Sequence, residues 1–225
     1  ELCTRYNTGE PLQYLLGEWE FYGLPFEVGK GVLIPRPDTE TLVEHALTRI
    51  QHVQSPVIAD LCAGSGCVAV SLAHVRSDAQ LFALELSEQA FAYLKRNIAR
   101  HRVSVQAVLC DVLTPPVLPP LDLVVCNPPY IARDEMQELS EQVRQEPEMA
   151  LTDGADGYGF YKALPALYAP CLKPGGVLAF EVGYTQAQTV ADILVHYGYT
   201  DIALEKDLAG ITRVVSGKMS EARRA

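Results

Sequence analysis

Val57-Ile58-Ala59-Asp60-Leu61-Cys62-Ala63-Gly64-Ser65-Gly66 is the stretch from which the fold is read. Val57 to Leu61 is apolar apart from Asp60, the pattern of a strand buried on both faces. Small residues then let the backbone turn tightly and let a ligand approach it. Cys67 to Val75 continues as a helix whose first N–H groups stay free to meet a ligand. Strand, glycine turn and helix in that order form the opening unit of an open α/β sheet.

Downstream, the alternation continues. Leu81-Phe82-Ala83-Leu84 reads as a second strand, and Ser87 caps a helix to Arg100 along Phe91, Leu94 and Ile98. Val103 to Leu109 and Leu121 to Cys126 are further strands, separated by Pro115, Pro116, Pro119 and Pro120. A polar, partly helical stretch runs from the Asn127-Pro128-Pro129-Tyr130 loop to Glu146. Gly159 to Leu172 is a helix bent at Pro165, and Lys173-Pro174-Gly175-Gly176 turns into a strand over Val177 to Val182. Thr185 to Tyr197 is helical, and Thr200 to Leu204 and Ile211 to Ser216 close the sheet. Their short link holds no helix, so one strand runs antiparallel. The expectation is a seven-stranded, mostly parallel sheet with one antiparallel strand and helices on both faces.

Upstream, residues 1–35 have another texture. Trp19 to Tyr22 and Phe26 to Val28 read as a β-hairpin, which must pack on something because a lone hairpin is marginal in water. Pro35-Arg36-Pro37-Asp38 opens a helix from Thr39 to Ile50, with Asp38 as N-cap. The chain divides into a connector over 1–35, a main domain over 36–217 and a flexible, charged tail over 218–225.

Composition narrows the function. With 48% hydrophobic residues in 225, a sizeable core is available. No apolar run reaches the ~18–20 residues that span a bilayer. Glu1-Leu2-Cys3-Thr4-Arg5 lacks the parts of a signal peptide, and a first residue other than Met suggests a fragment or processed form. The six cysteines show no C-x-x-C spacing, which favours free thiols and a cytoplasmic setting. A net charge of −10 argues against a broad nucleic-acid surface. The five histidines lack partners at metal spacing, so no metal is expected, and His45 and His52 read as helix-surface residues. Asp134, Glu135, Glu138 and Glu141 read as a solvated face.

In open α/β sheets ligands bind beyond the carboxyl ends of the strands. Here those ends carry Asp60 with the Gly64-Ser65-Gly66 turn, then Glu85, Asp111 and Asn127. Glu85 lies about twenty residues after the glycine turn, where a carboxylate can accept both ribose hydroxyls. Asp111 can meet an adenine amino group. Pro128 and Pro129 hold the last loop rigid, leaving one carboxamide, two carbonyls and the Tyr130 ring to receive a planar amide. Singly, each has a plainer reading: a generic strand–helix turn, a helix-start acid, a loop cap, a stop after a buried strand. In order and at matching spacing, they read as a nucleoside pocket beside an amide acceptor.

These residues resemble the Rossmann-like, class I S-adenosylmethionine-dependent methyltransferases. More narrowly, Gly9-Glu10-Pro11-Leu12-Gln13-Tyr14, Leu33-Ile34-Pro35-Arg36-Pro37-Asp38-Thr39-Glu40, Glu146-Pro147-Glu148-Met149-Ala150-Leu151, Asp156-Gly157-Tyr158-Gly159 and Asp207-Leu208-Ala209-Gly210 resemble the peptide-chain release factor glutamine methyltransferases. The resemblance implies N5 methylation of the glutamine in the release factors' Gly-Gly-Gln loop, with S-adenosylhomocysteine as product. It implies cofactor contacts from Asp60, Cys62, Ala63, Gly64, Ser65, Gly66, Glu85, Leu86, Asp111, Val112 and Asn127. Asn127, Pro128, Pro129 and Tyr130 would be catalytic, with Arg36, Pro37 and Glu40 lining the peptide mouth. It also implies that residues 1–35 are the remnant of an N-terminal helical domain and its linking hairpin. A monomeric, cytoplasmic enzyme acting on release factors, away from nucleic acid and membrane, is expected. The alternatives are a ribosomal-protein glutamine methyltransferase, a DNA adenine-N6 methyltransferase, an idle nucleoside-binding module and a dehydrogenase.

Overall fold

A computed structural model describes residues 2–220, without the side chains of Leu2 and Cys3. The chain begins with two short helices, α1 (Leu2–Asn7) and α2 (Leu12–Leu16), and a hairpin of β1 (Glu18–Phe21) and β2 (Leu24–Glu27). A 3-10 turn at Pro37–Thr39 leads into α3 (Glu40–Arg49). Then come β3 (Val57–Leu61), α4 (Cys67–Val75), β4 (Gln80–Glu85), α5 (Glu88–His101), β5 (Val105–Leu109) and β6 (Leu121–Cys126). After two further 3-10 turns follow α6 (Glu148–Leu151), α7 (Gly159–Tyr168), β7 (Leu172–Glu181), α8 (Ala187–His196), β8 (Tyr199–Lys206) and β9 (Thr212–Met219).

The seven strands lie in the order β5-β4-β3-β6-β7-β9-β8. All neighbours pair parallel except β9, which runs antiparallel to both β7 and β8. The order reverses between β3 and β6, and there Leu61 pairs with Cys126 in register. Two connections therefore leave adjacent strand ends in opposite senses and open a crevice between them.

Both faces are covered, as the apolar strands require. Ile58, Leu123, Val125 and Ala179 pack with Leu42, Val43 and Ala46 of α3, Leu72 of α4, Leu94 of α5 and the hairpin's Phe21 and Phe26. Ala59, Leu61, Val124 and Phe180 pack on the other side with Tyr161, Leu164 and Tyr168 of α7 and Leu194 of α8. The hairpin is thus part of the core. One of its ties to the main domain is Asn97 of α5, fully buried. Asn97 Oδ1 accepts from Glu27 N at 2.7 Å, and Nδ2 donates to Glu27 O at 3.1 Å and to Ser65 O at 2.9 Å.

Several local expectations change. Asp38 does not cap α3: the 3-10 turn replaces the cap, and the carboxylate pairs with Arg213 at 2.8 Å. His45 is buried rather than on the surface, its Nε2 2.7 Å from Ser216 Oγ. Helix α7 passes through Pro165 but stops at Tyr168, because Leu172 already pairs with Leu121 and begins β7. Lys173 to Gly176 is an irregularity inside that strand rather than a turn before it. The tail starts later than residue 218, since Lys218 pairs with Val177 and Met219 is buried. Residues 221–225 lie outside the described residues. The acidic residues from 134 to 141 are exposed, as read, and the five described cysteines with a recorded state are free. Among the described residues no helix is long and apolar enough to cross a membrane.

Replacing Asn97 by Ala strands the part-buried Glu27 N–H and removes three hydrogen bonds at once. The expected loss is about 3 kcal/mol of unfolding free energy, read from the urea midpoint at unchanged slope.

Candidate active site

The crevice at the β3/β6 switch point is a cavity with three walls. The first is the turn after β3. Its Gly66 has φ +82, and a Cβ built there would stand 2.5 Å from Leu94 Cδ1, so a side chain is excluded twice over. Gly66 also has no side chain with which to cap α4. Asp60 reaches across instead, its Oδ2 accepting from Ala69 N at 3.0 Å in the helix's first turn. Glu85, at the end of β4, holds the same turn: Oε2 accepts from Gly64 N at 2.7 Å and Oε1 from Ser87 N at 2.8 Å. An ionised carboxylate offers about four acceptor positions, so both oxygens retain capacity for a ligand's hydroxyls. A Cβ at Gly64 would meet nothing within 4 Å, which leaves the turn open towards the cavity.

The second wall is the loop after β6. Of this loop, Asn127 and Pro129 line the cavity, and Pro128 and Tyr130 are not among its lining residues. Two consecutive prolines take two backbone donors from the loop, so side chains help to hold it. Gln186 does most of this: its Nε2 donates to Tyr130 O at 3.0 Å and Gly157 O at 3.3 Å, while Oε1 accepts from Gly183 N at 2.9 Å. Gly157 must be glycine, since a Cβ there would lie 2.3 Å from Tyr130 O. The Tyr130 hydroxyl donates to Glu181 Oε1 at 3.3 Å, and Asn127 Nδ2 donates to Thr39 Oγ1 at 3.3 Å.

The third wall is the strap from Gly31 to Arg36. Tyr14 Oη donates to Val32 O at 2.5 Å, and Glu146 receives Ile34 N at 2.9 Å and an ion pair from Arg36. Leu86, Val112, Met149, Ala150 and Phe160 add apolar surface. Thus Asp60, Cys62, Ala63, Gly64, Ser65, Glu85, Leu86, Asp111, Val112, Asn127 and Arg36 are brought to one cavity. Pro37, Glu40 and Gly66 do not line it. Glu40 Oε1 instead accepts from Tyr22 N at 2.8 Å and clips the hairpin to α3. Asp111 serves two ends: it faces the cavity while Oδ1 accepts from Leu113 N at 2.8 Å.

Thr39, Glu146, Glu181 and Gln186 escaped the sequence reading as site residues. Glu181 carried the same signal as Asp60, a carboxylate inside an otherwise apolar strand. Both are 2% exposed. Burial pushes the Asp60 carboxyl up to about 8, against the pull of its bond from Ala69 N. Burial likewise pushes Glu181 up to about 7, opposed by Thr39, Tyr130 and Arg213. The folded protein therefore holds a proton on Asp60 between the ordinary value of 3.8 and about 8, where the unfolded chain has lost it. That contribution to stability is complete below the lower value and is lost as pH rises through the upper one. An Asp60→Asn variant should lose less stability than the parent between pH 5 and 8, by up to ~1.4 kcal/mol per pH unit, in urea titrations at several pH values.

Residues 37–155 match the family model described as Methyltransferase small domain. A release factor glutamine methyltransferase of Fusobacterium nucleatum is 39% identical over 222 residues, 96% of this chain and 62% of that protein. One of Geobacter sulfurreducens is 41% identical over 219 residues, 97% of this chain and 76% of that protein. Among solved structures, a methyltransferase from Pyrococcus furiosus superposes with a TM-score of 0.65 at 18% identity, covering 97% of this chain and 98% of that one. A Thermus thermophilus 16S rRNA methyltransferase in complex with AdoMet and guanosine gives 0.59 at 18% identity, covering 89% and 49%. These two carry the fold alone; the sequence relatives carry more. With cavity, loop and relatives in agreement over nearly its whole length, the chain belongs to the release factor glutamine methyltransferase family.

Proposed function

We propose that this chain transfers a methyl group from S-adenosylmethionine to the side-chain amide nitrogen of the glutamine in the Gly-Gly-Gln loop of peptide-chain release factors. The observation that carries the reading is Asn127: its Nδ2 is committed to Thr39, and its Oδ1 accepts from no described residue while the side chain lines the cavity. An uncommitted acceptor at that wall suits a planar –NH2 group.

The residues fit the cofactor. Glu85 would take the ribose hydroxyls, Asp111 the adenine amino group, and Cys62 to Gly66 the amino-acid end, with Leu86 and Val112 against the base. When bound, the cofactor supplies a methyl group on a positively charged sulfur. The chain's own task is to orient the amide. The amide nitrogen is a poor nucleophile because its lone pair is delocalised into the carbonyl. Asn127 Oδ1 and the Pro128 carbonyl would accept its two hydrogens, aim the lone pair and stabilise the positive charge that develops on it. With the cofactor bound, the methyl group would pass to the nitrogen and the electron pair of its former bond would stay on sulfur. The nitrogen, now acidic, gives its extra proton to water. No strong base is required beforehand. Tyr130 would pack against the amide, and Pro129 would keep the loop's shape.

The same reading takes the enzyme as a cytoplasmic monomer that meets release factors directly, without nucleic acid or membrane, and residues 1–35 as the connector to an N-terminal helical domain. The net charge of −10 favours a protein substrate over a nucleic-acid duplex.

The deciding experiment is methyl transfer from labelled S-adenosylmethionine to a bacterial release factor, its Gln→Ala loop variant, a ribosomal-protein fraction and duplex DNA. Label on the release factor alone, absent from the variant, is expected; label on DNA or on the ribosomal fraction instead overturns the assignment. Asn127→Ala should lower kcat by on the order of 10²–10³, the effect of losing one preorganised hydrogen-bond partner. Glu85→Ala should weaken cofactor binding about ten- to hundredfold in calorimetry, having lost two hydrogen bonds to the ribose.

A further inference from the structure

The loop after β6 is fixed where it leaves the sheet and has to be fixed again where it ends. At its start, Cys126 pairs with Leu61, so Asn127 departs from a rigid strand. Pro128 and Pro129 then hold φ at about −65°, which leaves mainly ψ rotations free in the loop. Those rotations decide where the Pro128 carbonyl points and how Asn127 is carried. They settle only if Tyr130, at the far end, is held as well.

One side chain holds it. Gln186, at the start of α8 and 7% exposed, donates from Nε2 to Tyr130 O at 3.0 Å and to Gly157 O at 3.3 Å. Its Oε1 accepts from Gly183 N at 2.9 Å. All three partners are main-chain groups, and their roles are fixed: a carbonyl only accepts and an N–H only donates. The amide therefore has one orientation, because turning it over sets Oε1 against two carbonyls and the NH2 against an N–H. The anchor is itself stiff. Asp153 Oδ1 accepts from Ala155 N at 2.9 Å and Gly157 N at 3.0 Å, and Oδ2 accepts from Gly159 N at 2.7 Å. The fit is close on both sides: a Cβ on Gly157 would stand 2.3 Å from Tyr130 O, and one on Gly183 would stand 2.9 Å from Gln186 Oε1.

We propose that Gln186 is a positioning residue for methyl transfer: by pinning the Tyr130 carbonyl, it sets the direction in which the Asn127–Tyr130 loop presents its acceptor groups to the amide. The proposal rests on the role given to that loop above. Gln186 does not line the cavity, and its hydrogen bonds reach neither the turn after β3 nor Glu85 nor Asp111. Its loss should therefore disturb the methyl-accepting side of the cavity and leave the cofactor side in place.

The test is single-turnover methyl transfer to a release factor at saturating cofactor, with cofactor affinity measured separately by calorimetry. The variants are Gln186→Met, Gln186→Glu, Asn127→Ala and Tyr199→Phe. Gln186→Met keeps the length of the side chain and loses its hydrogen bonds, whereas Gln186→Glu keeps an acceptor for Gly183 N and loses the donor to Tyr130 O. Tyr199→Phe is the control for stability, since it removes a buried hydrogen bond of 3.0 Å to Pro165 O at the opposite end of the sheet. Both Gln186 variants are expected to slow transfer about ten- to hundredfold, with cofactor affinity within about threefold of the parent, because a displaced loop misaligns the reacting groups. Tyr199→Phe should keep the parental rate although its urea midpoint falls. Near-parental transfer in Gln186→Met, a fall in cofactor affinity that matches the fall in rate, or equal slowing in Tyr199→Phe each overturns the proposal. If Gln186→Met alone fails to fold, Gln186→Glu decides by the same rate-against-affinity criterion. Failure of both to fold also overturns it, since the residue would then serve the fold and not the loop. Parental turnover in Asn127→Ala would overturn the functional reading itself; a collapse there with Gln186→Met unaffected would overturn the positioning role alone.

Discussion

The in-register pairing of Leu61 with Cys126 is the constraint on which the rest of the molecule depends. Two parallel strands that end side by side, with connections departing to opposite faces, cannot close the space between those connections. Every wall of the cavity is a response to that opening. The turn after β3 must be narrow, so it is built from small residues and cannot cap its own helix. The loop after β6 must stop at once, so it is built from two prolines and cannot hold itself. The strap from Gly31 to Arg36 must be brought from outside the sheet, so it is tied by Tyr14 and Glu146.

Each of these solutions leaves backbone groups without local partners, and acidic or amide side chains supply them. Asp60 replaces the missing cap of α4, Glu85 holds Gly64 N, Glu146 holds Ile34 N and Gln186 holds the Tyr130 and Gly157 carbonyls. The polar residues around the cavity therefore have two jobs at once. They stiffen irregular backbone, and they line a space that suits a nucleoside and an amide. A stiff shell would matter for the proposed amide methylation, because a weak nucleophile gains mainly from orientation, and orientation is lost when the supporting groups move.

The sheet was legible because its signals are local. Period, glycine turns and proline stops placed the seven strands, though β7 begins five residues earlier than read, and the missing helix between the last two strands predicted that one of them runs antiparallel, which is β9. The strand-end residues Asp60, Glu85, Asp111 and Asn127 followed from the rule that ligands bind at those ends. What escaped was set by contacts between distant parts of the chain. Asp38 has the composition of an N-cap, yet Arg213, 175 positions later, takes its carboxylate. His45 sits on a helix with solvated neighbours, yet β9 covers it through Ser216. Glu40 stands where a substrate contact was expected, yet the hairpin claims it through Tyr22 N. Lys218 and Met219 read as a frayed tail because no alternation precedes a charged terminus, yet β7 and β8 extend far enough to pair with them.

Asp60, which lines the cavity, and Glu181 also set how the protein would respond to a positively charged ligand. Burial raises both carboxyls towards neutrality, so they hold protons at a pH where exposed acids have lost them. A cation arriving nearby lowers their proton affinity again. Part of the ligand's binding free energy is thus spent on releasing protons from groups that stabilise the empty protein in the neutral form. Linkage makes the trade reciprocal: whatever ionises these carboxyls strengthens the hold on the cation, and loss of the cation returns the protons.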